Sequence, residues 1–203
     1  MDENNLYTEQ QPVVTKKKKS PLLFIIPVVI VAFLVVFFAV PPVLSNSLAS
    51  KGDYKKAISV VKLNPVYKSK AKELKYENYA YSCLKDVKRY FKNPDTISIR
   101  NVDYYYSNDR EAVTEEMFCS IIELSAQNGF GGNTFSYYLY DNLHNQFIGY
   151  TNDLTKTVPT SADNQEEQLQ CTTADSIQLI KTKCTKRDVH IDIDRLNKAV
   201  KSI

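Results

Sequence analysis

PLLFIIPVVIVAFLVVFFAVPPVL, running from Pro21 to Leu44, contains no polar side chain in 24 residues. An α-helix rises about 1.5 Å per residue, so this stretch would be ~36 Å long against a hydrocarbon core of ~30 Å. No charge interrupts the chain between Lys19 and Lys51. The stretch predicts a membrane-spanning helix, with Pro21 and Leu22 at one end and Val43 and Leu44 at the other. A cleaved secretory signal also sets basic residues before an apolar segment. Its apolar part is ordinarily ~7–15 residues and is followed by a small-residue cleavage site. Here the run is longer and closes on Pro41-Pro42, so an uncleaved anchor is the stronger reading. Pro27, one turn in, marks either a kink or the helix start, both of which membranes tolerate.

The flanks set the expected orientation. Lys16-Lys17-Lys18-Lys19 abuts the apolar run, and Lys51, Lys55 and Lys56 stand further off on the other side. The positive-inside rule counts basic residues near the span and gives acidic ones little weight. It predicts a cytoplasmic tail over residues 1–20, a single transmembrane helix over 21–44, and everything from residue 45 onward outside. The remaining ~160 residues suffice for one modest domain. Formal net charge is +3, too small to imply a nucleic-acid partner. The expected partners are the lipid bilayer itself and an envelope protein or cell-wall carbohydrate.

All four cysteines, Cys83, Cys119, Cys171 and Cys184, fall in the expected outer domain. An even count outside the cytoplasm is compatible with two disulfides. Of the three connectivities, Cys171–Cys184 with Cys83–Cys119 is preferred on sequence proximity. Free buried thiols are the competing reading. The spacings are unlike those of zinc sites.

Along the outer domain the hydrophobic period is first helical. Residues 45–75 read as a helical hairpin turning at Lys51-Gly52-Asp53, with Ala57, Ile58, Val60, Val61 and Leu63 as an apolar stripe and Asn64-Pro65 as a stop. Gly52-Asp53-Tyr54, Ala57-Ile58 and Asn64-Pro65 resemble part of a tetratricopeptide repeat. No second copy follows, and a solenoid needs about three. Residues 69–92 give the clearest soluble helix, its stripe being Tyr76, Ala80, Cys83, Leu84, Val87 and Phe91.

The period then falls to two. Strands are predicted over Thr96–Tyr105, Met117–Ala126, Thr134–Tyr140 and Gln146–Thr151, joined as an antiparallel meander. The expected fold class is therefore a single-pass transmembrane helix plus an α+β domain over residues 76–203. The helical hairpin at 45–75 and a long helix are expected to pack on an antiparallel sheet of about four to five strands, followed by a C-terminal helix. Residues 151–170 read as a polar loop with room for a short helix near its end, and 174–183 fit helix or strand equally. Val189, Ile191 and Ile193 alternate with acidic residues as a strand entering a helix at 193–201, capped by Asp192.

Asn128-Gly129-Phe130-Gly131-Gly132 joins the second and third strands. Glycines there permit positive φ and a tight reversal. A phosphate-cradling loop would need a following helix and a GKS or GKT ending, and neither is present. Phe91-Lys92-Asn93-Pro94-Asp95-Thr96, together with Cys119 and the Ala126–Gly132 segment, resembles a group of small bacterial envelope proteins of uncharacterised activity. The resemblance spans about residues 80–150. It implies a helix on an antiparallel sheet and no particular reaction.

No catalytic, cofactor or metal site is expected. Asp188, His190, Asp192 and Asp194 form the only cluster of acidic and imidazole groups. On a strand they would share one face and could hold a divalent cation, making a metal-assisted enzyme the alternative function. A solvated strand edge plus a helix cap explains the same spacing. His144 falls in the Asp141–Asn145 turn, and Glu115-Glu116 and Glu166-Glu167 in polar segments. Tyrosines at 104–106, 137, 138, 140 and 150 lie on strands, and an exposed Tyr-rich sheet face is the expected binding surface.

Overall fold

A computed structural model describes residues 22–91, 93–107, 117–127, 130–156 and 164–203. The apolar run forms α1 (Leu22–Leu34), then one π-helical stretch, Val35–Ala39, then α2 (Val40–Ala49). Every side chain from residue 25 to 40 is exposed to the surroundings, whereas Ser45 and Ala49 on α2 are fully buried. One continuous helical path thus passes from a bare apolar rod into the domain's core.

Lys51 and Gly52 turn the chain into α3 (Tyr54–Lys62), capped by the Asp53 side chain, which accepts from the Lys56 amide at 3.3 Å. Gly52 sits at φ +79°, and a Cβ there would lie 2.2 Å from the Tyr81 hydroxyl. Both backbone and neighbour demand glycine. A short 3₁₀ turn, Pro65–Tyr67, leads into α4 (Lys68–Val87).

The strands are β1 (Ser98–Ser107), β2 (Met117–Gln127), β3 (Asn133–Asp141) and β4 (Gln146–Thr151), close to the periodicity-based bounds. A two-residue β5 (Thr185–Lys186) adds to the free side of β1, and the antiparallel order is β4-β3-β2-β1-β5. Tyr104 pairs with Ser120 and Ser120 with Tyr140, which places their side chains on one face. That face, with Val102, Ile122, Leu124 and Tyr138, packs on Ala80, Cys83, Leu84 and Val87 of α4 and on Leu196, Ala199 and Val200 of α6 (Ile193–Lys201). Asp192 caps α6 as expected, accepting from the Arg195 amide at 2.9 Å.

Three expectations are corrected. Residues 165–183 form one helix, α5 (Gln165–Lys183), where the sequence predicts a loop with at most a short helix near its end and then an ambiguous segment. Cys171, Ala174, Ile177 and Ile180 recur at three-residue steps and are buried, a narrow stripe hidden among polar and β-branched residues. Helix α5 covers the second sheet face, where Ile177 and Ile180 meet Tyr105, Cys119, Ile121 and Leu139. The expected exposed Tyr-rich face is therefore roofed over. Beyond Thr185–Lys186 only the Arg187 amide reaches β1, donating to the Tyr104 carbonyl, and residues 188–192 form no strand, so the strand anticipated across 188–194 is not formed.

The third correction concerns the disulfides, since all four cysteines are free. Cys171 lies within α5 and Cys184 caps its end. Thirteen steps along the helix separate them by about 20 Å, against the ~4.4–6.8 Å between Cα atoms that a bridge requires. Cys83 lies under one sheet face and Cys119 under the other. The competing reading, thiols used as small core hydrophobes, describes the buried Cys83, Cys119 and Cys171. Burial pushes the Cys119 thiol up to about 12.

Candidate functional site

Two places combine polar chemistry with an unusual apolar environment. The first is the junction between the apolar helix and the domain. In an α-helix the carbonyls of Phe37 and Phe38 would accept from the amides of residues 41 and 42. Both positions are proline and carry no N–H. The helix widens to π geometry just here, over Val35–Ala39. Asn64, 4 % exposed, donates its side-chain amide to the Phe37 carbonyl at 3.2 Å. The Tyr67 hydroxyl donates to the Phe38 carbonyl. The α3–α4 turn thus supplies the two donors that the prolines removed. Asn64 also holds its own turn, its Oδ1 accepting from the Val66 amide at 3.0 Å.

A buried ion cluster braces the same junction. Arg195 of α6, 5 % exposed, donates Nε to Glu77 Oε2 at 2.8 Å and one terminal nitrogen to Asn46 Oδ1 of α2 at 2.9 Å and to Asp192 Oδ2 at 3.0 Å. Its other terminal nitrogen bonds Glu73 and Glu77 of α4. Glu77 is completely buried and also accepts from the Asp192 amide at 3.0 Å. Desolvation raises the Glu77 carboxyl above the usual carboxylate range against the pull of Arg195. Desolvation also acts to raise Glu73, but Lys70 and Arg195 outweigh it and hold that carboxyl below its ordinary value. The sequence reading missed this cluster. Its one signal was Glu73 and Glu77 four residues apart on one side of α4; the helical period puts Glu77 on the face opposite the apolar stripe, yet the structure buries it completely.

The second place is a cleft of about 230 Å³ between the middle of α4 and the end of the sheet where β1 finishes and β2 begins. Its walls are aromatic. Tyr76 and Tyr79 of α4 stand edge-on to Phe118 of β2 with ring centroids 5.8 and 5.2 Å away. Tyr104 beneath meets Tyr76 at 4.9 Å. Two cations lie on ring faces at the rim, Lys75 at 5.9 Å from Tyr79 and the Arg187 guanidinium at 3.8 Å from Tyr106. Arg187 is positioned by its backbone amide, which donates to the Tyr104 carbonyl at 2.8 Å. The cleft offers stacking faces and two positive charges, chemistry suited to holding an acidic, ring-bearing ligand.

The anticipated acidic and imidazole residues do not form one site: Asp188 and His190 line a cleft beside Asp103, whereas Asp192 and Asp194 line another next to Asn46. Asp188, His190 and Asp194 are exposed, while Asp192 turns inward to cap α6 and pair with Arg195. Among the described residues no group of three His, Cys, Asp or Glu side chains could hold a metal ion. His144 contacts Asp141 through Nδ1 at 2.6 Å within its turn. Tyr137 lies under Lys181 of α5 at 5.8 Å, and the Tyr150 hydroxyl donates to Glu166 at 2.5 Å. Asn128 and Gly129 of the glycine turn lie outside the described residues. Gly131 has φ +82°, the left-handed conformation expected of that reversal.

The chain matches no family model, no curated protein and no solved structure.

Proposed function

We propose that the chain is a single-pass membrane protein of the cell envelope, with residues 1–20 in the cytoplasm, 21–44 embedded and the α+β domain outside, where it acts as a binding module. One observation carries the reading. The helix over residues 25–40 is apolar on every side and, among the described residues, keeps all its side chains exposed, while the domain below it buries its own apolar residues in two clusters. An aqueous setting would leave that surface bare. The four contiguous lysines before it and the resemblance of residues 80–150 to envelope proteins support the same placement. The aromatic, cationic cleft is the receiving face, and an acidic cell-wall carbohydrate is the ligand class that suits it. Sugar rings stack on tyrosine, and Lys75 and Arg187 meet the negative charge.

Full-length protein bearing a tag at each end tests the placement in a bacterial host. We expect it to resist alkaline extraction from membranes. Protease added outside spheroplasts should remove the C-terminal tag and spare the N-terminal one. Release into the alkaline supernatant, or loss of the N-terminal tag first, refutes the placement. For the cleft, the detergent-solubilised chain should co-sediment with purified cell wall, and Tyr76→Ala with Arg187→Gln should abolish it. Undiminished co-sedimentation of that variant removes the cleft from the proposal.

A further inference from the structure

The α3–α4 turn reads Lys62-Leu63-Asn64-Pro65-Val66-Tyr67-Lys68. Leu63 is 86 % exposed and Val66 67 % exposed, although each sits beside residues that are fixed in place. Asn64 and Tyr67 between them are hydrogen-bonded to the Phe37 and Phe38 carbonyls, as described above. Those carbonyls lie six and seven residues before the end of the apolar run. At about 1.5 Å per residue that is roughly 9–10 Å short of its end. The turn is thus held alongside the last two turns of the apolar helix, with its two largest apolar side chains pointing away from the domain.

We infer that this turn is a second membrane contact, a wedge whose Leu63 and Val66 enter the outer leaflet beside the spanning helix. The inference rests on the anchored reading of residues 21–44. Three features commit it to lipid as the occupant. The wedge is hydrogen-bonded to the helix that the bilayer already surrounds, so the lipid-facing surface runs from one onto the other. Lys62 and Lys68 bracket the apolar tip, and both are exposed. Their stems reach along an apolar layer while the ammonium groups meet headgroup phosphates. Tyr67 stands at the boundary that amphipathic aromatic rings favour. Water would have to solvate Leu63 and Val66 at a depth where the neighbouring helix surface is itself apolar.

The chain contains no Trp, so a single introduced indole reports without background. Three full-length variants are reconstituted singly into phosphatidylcholine nanodiscs, with and without acyl-brominated lipid. Leu63→Trp samples the wedge, Phe33→Trp the spanning helix, and Leu179→Trp an exposed position on α5. Val66→Trp replaces Leu63→Trp if the latter folds poorly. The expected result is blue-shifted emission at Leu63 and Phe33, with bromine quenching at Leu63 at least half of that at Phe33, and neither effect at Leu179. Quenching at Phe33 alone overturns the wedge and leaves the anchor standing. A blue shift at Leu63 without quenching puts protein over the tip and overturns the wedge. Absence of quenching at Phe33 overturns the anchor, and the wedge with it.

Discussion

Replacing Arg195 by Met removes the one cation that neutralises Glu77, a carboxyl with no exposure to solvent. The methionine stem fills similar volume, so the change is chiefly electrostatic. It deletes Nε–Glu77 at 2.8 Å, the bonds to Asn46 and Asp192 at 2.9 and 3.0 Å, and the contacts to Glu73. Breaking a buried pair from one side typically costs about 3–5 kcal/mol, because the remaining charge is stranded. A domain of this size is stable by about 5–15 kcal/mol, so roughly a fifth or more of its stability is at stake. The companion variant Arg195→Met/Glu77→Leu removes both charges and should recover most of the loss, since apolar replacement of a buried pair is often neutral. Urea unfolding of the full chain in detergent, followed by tyrosine fluorescence and circular dichroism, gives both values. The reasoning is refuted if Arg195→Met loses less than about 1 kcal/mol, the size of an exposed pair. It is equally refuted if the double variant is less stable than the single one.

Other consequences are simpler to read. Gly52→Ala should destabilise by more than about 1 kcal/mol in the same unfolding experiment, since φ is positive there and Tyr81 occupies the space. With a maleimide in non-reducing buffer, Cys184 alone should react promptly, because Cys83, Cys119 and Cys171 are buried, and unfolding should release the other three. Glu73 is held below its ordinary value, so its contribution is present above the unfolded carboxyl range and lost as pH falls through the folded value. Glu73→Gln should therefore weaken the protein at neutral pH and converge with the parent in acid, as thermal unfolding at a series of pH values would show.

The strands were legible because alternation at Ile97, Ile99, Val102 and Tyr104 is a local signal, and the observed β2, β3 and β4 lie within about a residue or two of the ranges read from period two. Helix α6 was legible for the same reason, with Asp192 as a start signal. What failed depends on partners distant in the chain. Helix α5 shows only a narrow stripe, and its identity is decided by the sheet face it covers. The stretch at 188–194 alternates correctly but finds no neighbouring strand beyond Lys186, so alternation alone did not make a ladder. Arg195 and Glu77 are 118 positions apart, and nothing local in either segment announces the other. The tyrosines were assigned to the right strands, yet which of them would face a cleft could not be read before the position of α4 was known.

The prolines at 41 and 42 carry one more consequence. A globular domain hung on a flexible ten-residue leash would wander roughly 17 Å from its attachment point. Here there is no leash, because the apolar helix continues into a core helix, α2, and Asn64 and Tyr67 clamp the break. On the anchored reading the domain has neither reach nor freedom to swivel. With a radius of gyration near ~15 Å for some 160 residues, it samples only a layer a few nanometres deep. On the proposed binding role, a ligand would have to lie within that layer.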